Sequence, residues 1–153
     1  MKRTPEGEAL TSLILETFRL NGALLASGNR LTRPFELTSA RWQVLGPIEG
    51  QPLSVAQIAR RMGLARQGVQ RIVNDLLGLG IVVLEPNIDH KRAPLIALTD
   101  AGKKIMVELD KVQAAWVNRL VGGLSEREVR QALKIIETVR QRMEQPDSPG
   151  ATT

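Results

Sequence analysis

The chain of 153 residues has no cysteine and no tyrosine, one histidine, two phenylalanines and two tryptophans. Without cysteine there can be no disulfide, no thiolate metal ligand and no cysteine-based redox sensing. The single histidine, His90, leaves a zinc site dependent mostly on carboxylates, and no metal or other cofactor is expected. A hydrolase triad would have to be built on His90, which lies between Asp89 and Lys91 in a polar turn. No constellation of acid, base and nucleophile is visible, so the chain is not expected to be an enzyme. No glycine-rich phosphate loop follows a strand. The scarcity of aromatics disfavours stacking platforms for single-stranded nucleic acid. No apolar run approaches the ~20 residues of a membrane span, and Met1-Lys2-Arg3 does not lead into an apolar signal region. The expected location is the cytoplasm, with no membrane partner.

What is present suits one domain-sized unit, 1–153. Hydrophobic residues make up 42%, enough for a core. Lys and Arg number 21 against 16 Asp and Glu, a net charge of +5. That balance permits binding to phosphates or to anionic surfaces, and the position of the charge must decide.

Apolar spacing at Leu10, Leu13, Ile14, Phe18, Leu24 and Leu25 predicts a long first helix over 8–28, ending near Gly28. Leu15 and Leu20 lie off that stripe, which suggests a second packing partner. A loop with Pro34 is expected over 31–37, then a short helix capped by Thr38 and interrupted by Gly46-Pro47. Ser54 with Gln57 forms a capping box that opens the next helix, and Gly63 stops it. Helix resumes at Leu64-Ala65-Arg66 and runs to about Leu77, with Val69, Ile72, Val73, Leu76 and Leu77 inward. Ile81–Glu85 and Leu95–Leu98 read as strands of a hairpin with the charged tip Asp89-His90-Lys91-Arg92. Thr99 caps a helix to about Val121, and Ser125 with Glu128 opens the last one. Residues 146–153 read as a flexible tail. The fold class is therefore mainly α with a small β-hairpin.

The informative stretch is Ser54–Gly80: a capped helix, a tight glycine turn and a second helix, which is helix-turn-helix geometry. Between Ile58 and Val73 stand Arg60, Arg61, Arg66 and Arg71, with no acidic residue. The second helix offers Arg66, Gln67, Gln70 and Arg71 opposite its apolar stripe, and Arg and Gln are side chains that bond guanine and adenine edges. Gly68 in mid-helix costs roughly 1 kcal/mol against Ala, and would let backbone approach DNA or a neighbouring helix. A solvated basic helix would explain the helix alone. It does not explain the basic hairpin that follows, where His90, Lys91 and Arg92 are placed to reach phosphate or minor groove.

The order and spacing of these pieces resemble the MarR family of winged helix-turn-helix transcriptional regulators. The matching segments are Leu37–Leu45, Ser54–Ala59, Val69–Leu76 with Gly80, and Asp89–Leu95 leading into Leu98-Thr99-Asp100-Ala101-Gly102. The resemblance spans about Glu8 to Gln145. It implies a homodimer with a DNA-binding part at 38–98 and dimerisation helices at 8–28 and 100–145. It also implies a recognition helix in the major groove of double-stranded DNA and a wing in the minor groove. By position, Arg66, Gln67, Gln70 and Arg71 would be recognition residues and Arg92 the wing-tip arginine. There are two departures. His90 stands where the family commonly has an acidic residue, with Asp89 one earlier. Ala65 stands where the recognition helix usually opens with Ser or a similar cap, a loss of typically ~1 kcal/mol.

Apolar surface on the end helices exceeds what a reading head of ~60 residues can cover, which also favours a dimer. Leu10, Leu13, Val129, Leu133 and Ile136 are the interface candidates. Such a dimer would bind a pseudo-palindrome with half-sites ~34 Å apart. The family further implies control by a small aromatic or phenolic effector. Phe18, Phe35, Arg41 and Trp42 are the candidates to line its cleft, the alternative being that all four pack or face solvent. Trp42 and Trp116 lie on apolar stripes and are read as core. The competing function is a winged-helix protein-interaction module without specific DNA binding.

Overall fold

A computed structural model describes residues 2–145 of the chain, and the tail expected at 146–153 lies outside the described residues. The order is α1 (Pro5–Thr32), α2 (Ser39–Leu45), β1 (Leu53–Ser54), α3 (Val55–Met62), α4 (Arg66–Gly78), β2 (Val82–Glu85), β3 (Leu95–Leu98), α5 (Asp100–Leu120) and α6 (Glu126–Glu144). Single 3-10 turns at Arg33–Phe35 and Gly46–Ile48 flank α2. The chain divides into two compact units, one through Gln113 and one from Ala114.

The first helix is longer than its sequence pattern suggested. It runs through Gly28 to Thr32. Gly28 is a packing residue rather than a stop signal. A Cβ there would meet Ser39 Oγ at 2.6 Å and Ser39 Cβ at 2.9 Å, so its missing side chain lets α2 come close. Asn29 fixes the same junction by accepting the Ser39 backbone N–H at 2.8 Å. Buried Thr32 ends the helix, its hydroxyl lying 2.8 Å from the Gly28 carbonyl and 3.1 Å from that of Leu37. The expected loop over 31–37 is thus mostly the last helical residues and one 3-10 turn.

The sheet has three antiparallel strands in the order β1-β3-β2, one strand more than the expected hairpin. Leu53 pairs with Ile96, and Val82 with Leu98. The second strand begins at Val82, one residue after the sequence expectation. Leu45, Ile58, Val69, Val73, Leu76, Ile96 and Leu109 are almost wholly buried and join the helices to the sheet. The first turn of α5 docks tightly. Thr99 accepts the Gly102 N–H at 3.1 Å, and its hydroxyl lies 2.7 Å from the Gly80 carbonyl. Gly102 rests directly on the Ile81 carbonyl.

In the second unit α6 carries the expected capping box, with Ser125 and Glu128 bonded reciprocally. Hydrogen bonds from the Ser125 side chain and then its backbone hold the Glu128 carboxyl below the ordinary glutamate value. No residue of α6 is buried. Val129, Leu133, Ile135 and Ile136 are all exposed, as is Leu10 on α1.

Candidate nucleic-acid interface

The turn between α3 and α4 is set by Gly63. It takes the left-handed conformation (φ 64°, ψ 33°), which glycine adopts without a Cβ penalty, and its N–H bonds back to the Ala59 carbonyl. Leu64 then packs against the core. Helix α4 follows from Ala65, whose extended backbone offers no side-chain cap. The first N–H groups of the helix are therefore left for an outside acceptor. Val69, Val73 and Leu76 anchor one side of α4. Arg66, Gln67, Gln70 and Arg71 are all exposed. Gln70 is held by Asn74, one turn on, whose side-chain oxygen accepts its Nε2 at 3.0 Å. Asn74 was not singled out from sequence, though its spacing of four from Gln70 was the signal. A Cβ at Gly68 would meet nothing within 4 Å, so no neighbouring helix among the described residues explains that glycine.

The hairpin loop is braced internally. Asn87 Nδ2 donates to the Ala93 carbonyl at 2.8 Å, and its Oδ1 accepts the Asp89 N–H at 3.2 Å. The Ala93 N–H closes the turn on the His90 carbonyl at 2.9 Å. His90, Lys91 and Arg92 project into solvent. Among the described residues, no carboxylate lies within ion-pairing distance of Arg60, Arg61, Arg66, Arg71, Lys91 or Arg92. Asp89 does not brace Arg92; the loop's own amide network does the bracing.

The four effector candidates do not come together. Phe35 and Trp42 pack against the core. Arg41, close by on α2, lies 3.2 Å from the Glu36 carbonyl and 3.9 Å from the Asp75 carboxylate. Phe18 is 72% exposed on α1. It stands ten residues, or ~15 Å of helix, from the Gly28 contact with α2.

Residues 35–93 match the model of the MarR family. A protein of Mycobacterium tuberculosis is 37% identical over 117 residues, covering 76% of this chain and 82% of the relative. The chain belongs to the MarR family. Its fold agrees with solved structures of this MarR type. The regulator BldR from Sulfolobus solfataricus superposes with a TM-score of 0.76 at 20% identity, over 93% of this chain and 99% of that one. The repressor CouR, bound to a 23-mer DNA duplex, gives 0.74 at 22% identity, over 91% of this chain and 99% of that one. CouR from Rhodococcus jostii is also known bound to p-coumaroyl-CoA, a structure covering 83% of this chain and 90% of that one, with a TM-score of 0.73. MarR proteins are transcriptional regulators rather than enzymes, and this MarR chain is a DNA-binding regulator. No helix among its described residues is long and apolar enough to cross a membrane.

Proposed function

We propose that this MarR protein is a cytoplasmic repressor that binds a pseudo-palindromic DNA duplex as a homodimer. The observation that carries the reading is the uncompensated basic face: among the described residues, every arginine of α3 and α4, and both cations of the wing, lack a carboxylate partner. Surface arginines without internal partners are free to pair with phosphates. Arg66, Gln67, Gln70 and Arg71 face the major groove. His90, Lys91 and Arg92 contact the minor groove and its phosphates. The exposed apolar residues Leu10, Val129, Leu133 and Ile136, with half-buried Leu13, are covered by the second copy. The dimerisation helices are α1 and α5–α6, and the DNA-binding part is 38–98.

A selection of bound duplexes from a random pool identifies the operator. On it, Arg66→Ala or Gln70→Ala costs ~1–3 kcal/mol and relaxes preference at one base pair. Arg92→Ala weakens all sequences alike and lowers the salt slope by about one. A double variant Arg66→Ala, Arg92→Ala that binds like the parent defeats the proposal. CouR's ligand supports an aromatic effector here too. Phe35, Arg41 and Trp42, which share the region of α2, remain its candidate contacts; Phe18 is the weakest member of the set. Titrating aromatic anions into the DNA complex tests this, and no release by any of them rejects it.

A further inference from the structure

The loop of the wing, residues 86–94, carries one large apolar side chain, Ile88, and the fold does not use it. Ile88 is 96% exposed, more than any other large apolar residue of the described chain. It sits between Asn87 and the polar run Asp89, His90, Lys91 and Arg92, in a loop bounded by Pro86 and by Ala93-Pro94. The Asn87 side chain ties the two ends of this loop together through the Ala93 carbonyl at 2.8 Å, and its oxygen accepts the Asp89 N–H just past Ile88 at 3.2 Å. Ile88 is thus held out on a braced turn rather than left on a loose one. Beyond its neighbour Asp89, the same turn carries Lys91 and Arg92, the cations that the proposed function places on DNA. An apolar residue set among phosphate-binding cations is suited to the sugar walls and base steps of a minor groove, where apolar wedges pack and partly open the stack.

We propose that Ile88 is an apolar wedge of the wing, packing into the minor groove and favouring sites with a flexible step there. This rests on the DNA-binding reading above. Pyrimidine–purine steps yield to a wedge most readily, so the preference is for such a step over a stiff A-tract at the wing position. Because the contact is apolar, it releases no counterion and leaves the salt dependence unchanged.

The test compares the full-length parent with Ile88→Ala, Ile88→Leu and Arg92→Ala by fluorescence anisotropy. Two forms of the selected operator are used, with a TA step or an A-tract at the wing position, across a salt series. Ile88→Ala is expected to bind the TA form about ten-fold more weakly, with an unchanged salt slope and the step preference gone. Ile88→Leu should restore most of the affinity. Arg92→Ala should keep the step preference while losing about one unit of salt slope. Ile88 has no packing to lose, so equal thermal melting of the parent and Ile88→Ala is expected. If Ile88→Ala binds both forms like the parent while Arg92→Ala is weakened, the wedge is refuted and DNA binding stands. If neither the parent nor Arg92→Ala shows salt-sensitive binding to any duplex, the underlying reading fails instead.

Discussion

Replacing Gly102 with Ala should destabilise the protein, although on helix propensity alone it should do the reverse. Gly102 lies in the first turn of α5. An exposed helical Gly→Ala change gains about 1 kcal/mol. At Gly102, however, the added methyl would fall inside the contact radius of the Ile81 carbonyl oxygen and 3.2 Å from a Leu98 methyl. The carbonyl cannot simply turn away. It already accepts the Thr99 N–H at 3.0 Å and lies 3.1 Å from the Thr99 hydroxyl. Overpacking of this kind costs roughly 1–3 kcal/mol, and loosening the Thr99 bonds adds roughly 1 kcal/mol for each bond lost. Set against the propensity gain, the net loss is about 2 kcal/mol, or a fall in Tm of roughly 4–8 °C for a chain of this size. Gly22→Ala is the control, because a Cβ there meets nothing within 4 Å in mid-α1. It should be neutral or stabilising by up to about 1 kcal/mol. Urea melts at fixed protomer concentration compare the two, since an oligomer's stability depends on concentration. Gly102→Ala proving as stable as Gly22→Ala would refute the close-packing argument.

Gly68→Ala has open space for its methyl and should raise stability by about 1 kcal/mol; weaker duplex binding by that variant, in the same anisotropy assay, would locate the reason for the glycine on the DNA side. Asn87→Ala removes both loop hydrogen bonds and should weaken operator binding several-fold by loosening the wing, whereas Asp89→Ala, which removes no partner of Arg92, should stay close to the parent. Glu128 has its carboxyl held below the ordinary 4.5 in the folded chain, so its capping contribution is present above that pH and fades as pH falls through the lower folded value. Far-UV circular dichroism should show acid loss of helix in the parent that is blunted in Glu128→Gln. On the proposed dimer, the parent should give a dimeric mass by light scattering and the paired change Leu133→Asp, Ile136→Asp on exposed α6 positions a monomeric one.

The elements that could be read from sequence are those specified by neighbours in the chain. Thr38, Ser54 and Ser125 cap their helices through bonds three residues away, and Gly63 ends α3 through its own backbone conformation. What escaped depends on distant partners. Strand β1 is two residues long and exists only because Leu53 and Ser54 meet Ile96 and Leu95. Gly28 looked like a helix stop, since glycine serves both as a terminator and as a point of close approach, and only Ser39 distinguishes the two. Phe18 stands apart from Phe35, Arg41 and Trp42 within the chain for a related reason. A helical stripe identifies a face but not a height along the axis, and ten residues of helix is ~15 Å. The wing's exposed cations were legible from the polar turn; the Asn87 brace was not, because its partner Ala93 lies six residues on.

The division between fold and recognition follows from how α4 is used. Its buried side is complete: Val69, Val73 and Leu76 are each no more than 1% exposed. Its other side contributes little to the fold, for Arg66, Gln67 and Arg71 make no side-chain hydrogen bond or ion pair among the described residues, and Gln70 bonds only to Asn74. Surface substitutions away from caps and cores usually move stability by no more than ~0.5 kcal/mol. The outward side chains of α4 can therefore vary without endangering the core that holds the helix. The same holds for the wing, where the backbone is fixed by β2, β3 and Asn87 while Ile88, His90, Lys91 and Arg92 are left outward. The missing side-chain cap at Ala65 fits this division. It leaves the first N–H groups of α4 for a partner outside the chain, at the end of the helix where its dipole favours a phosphate.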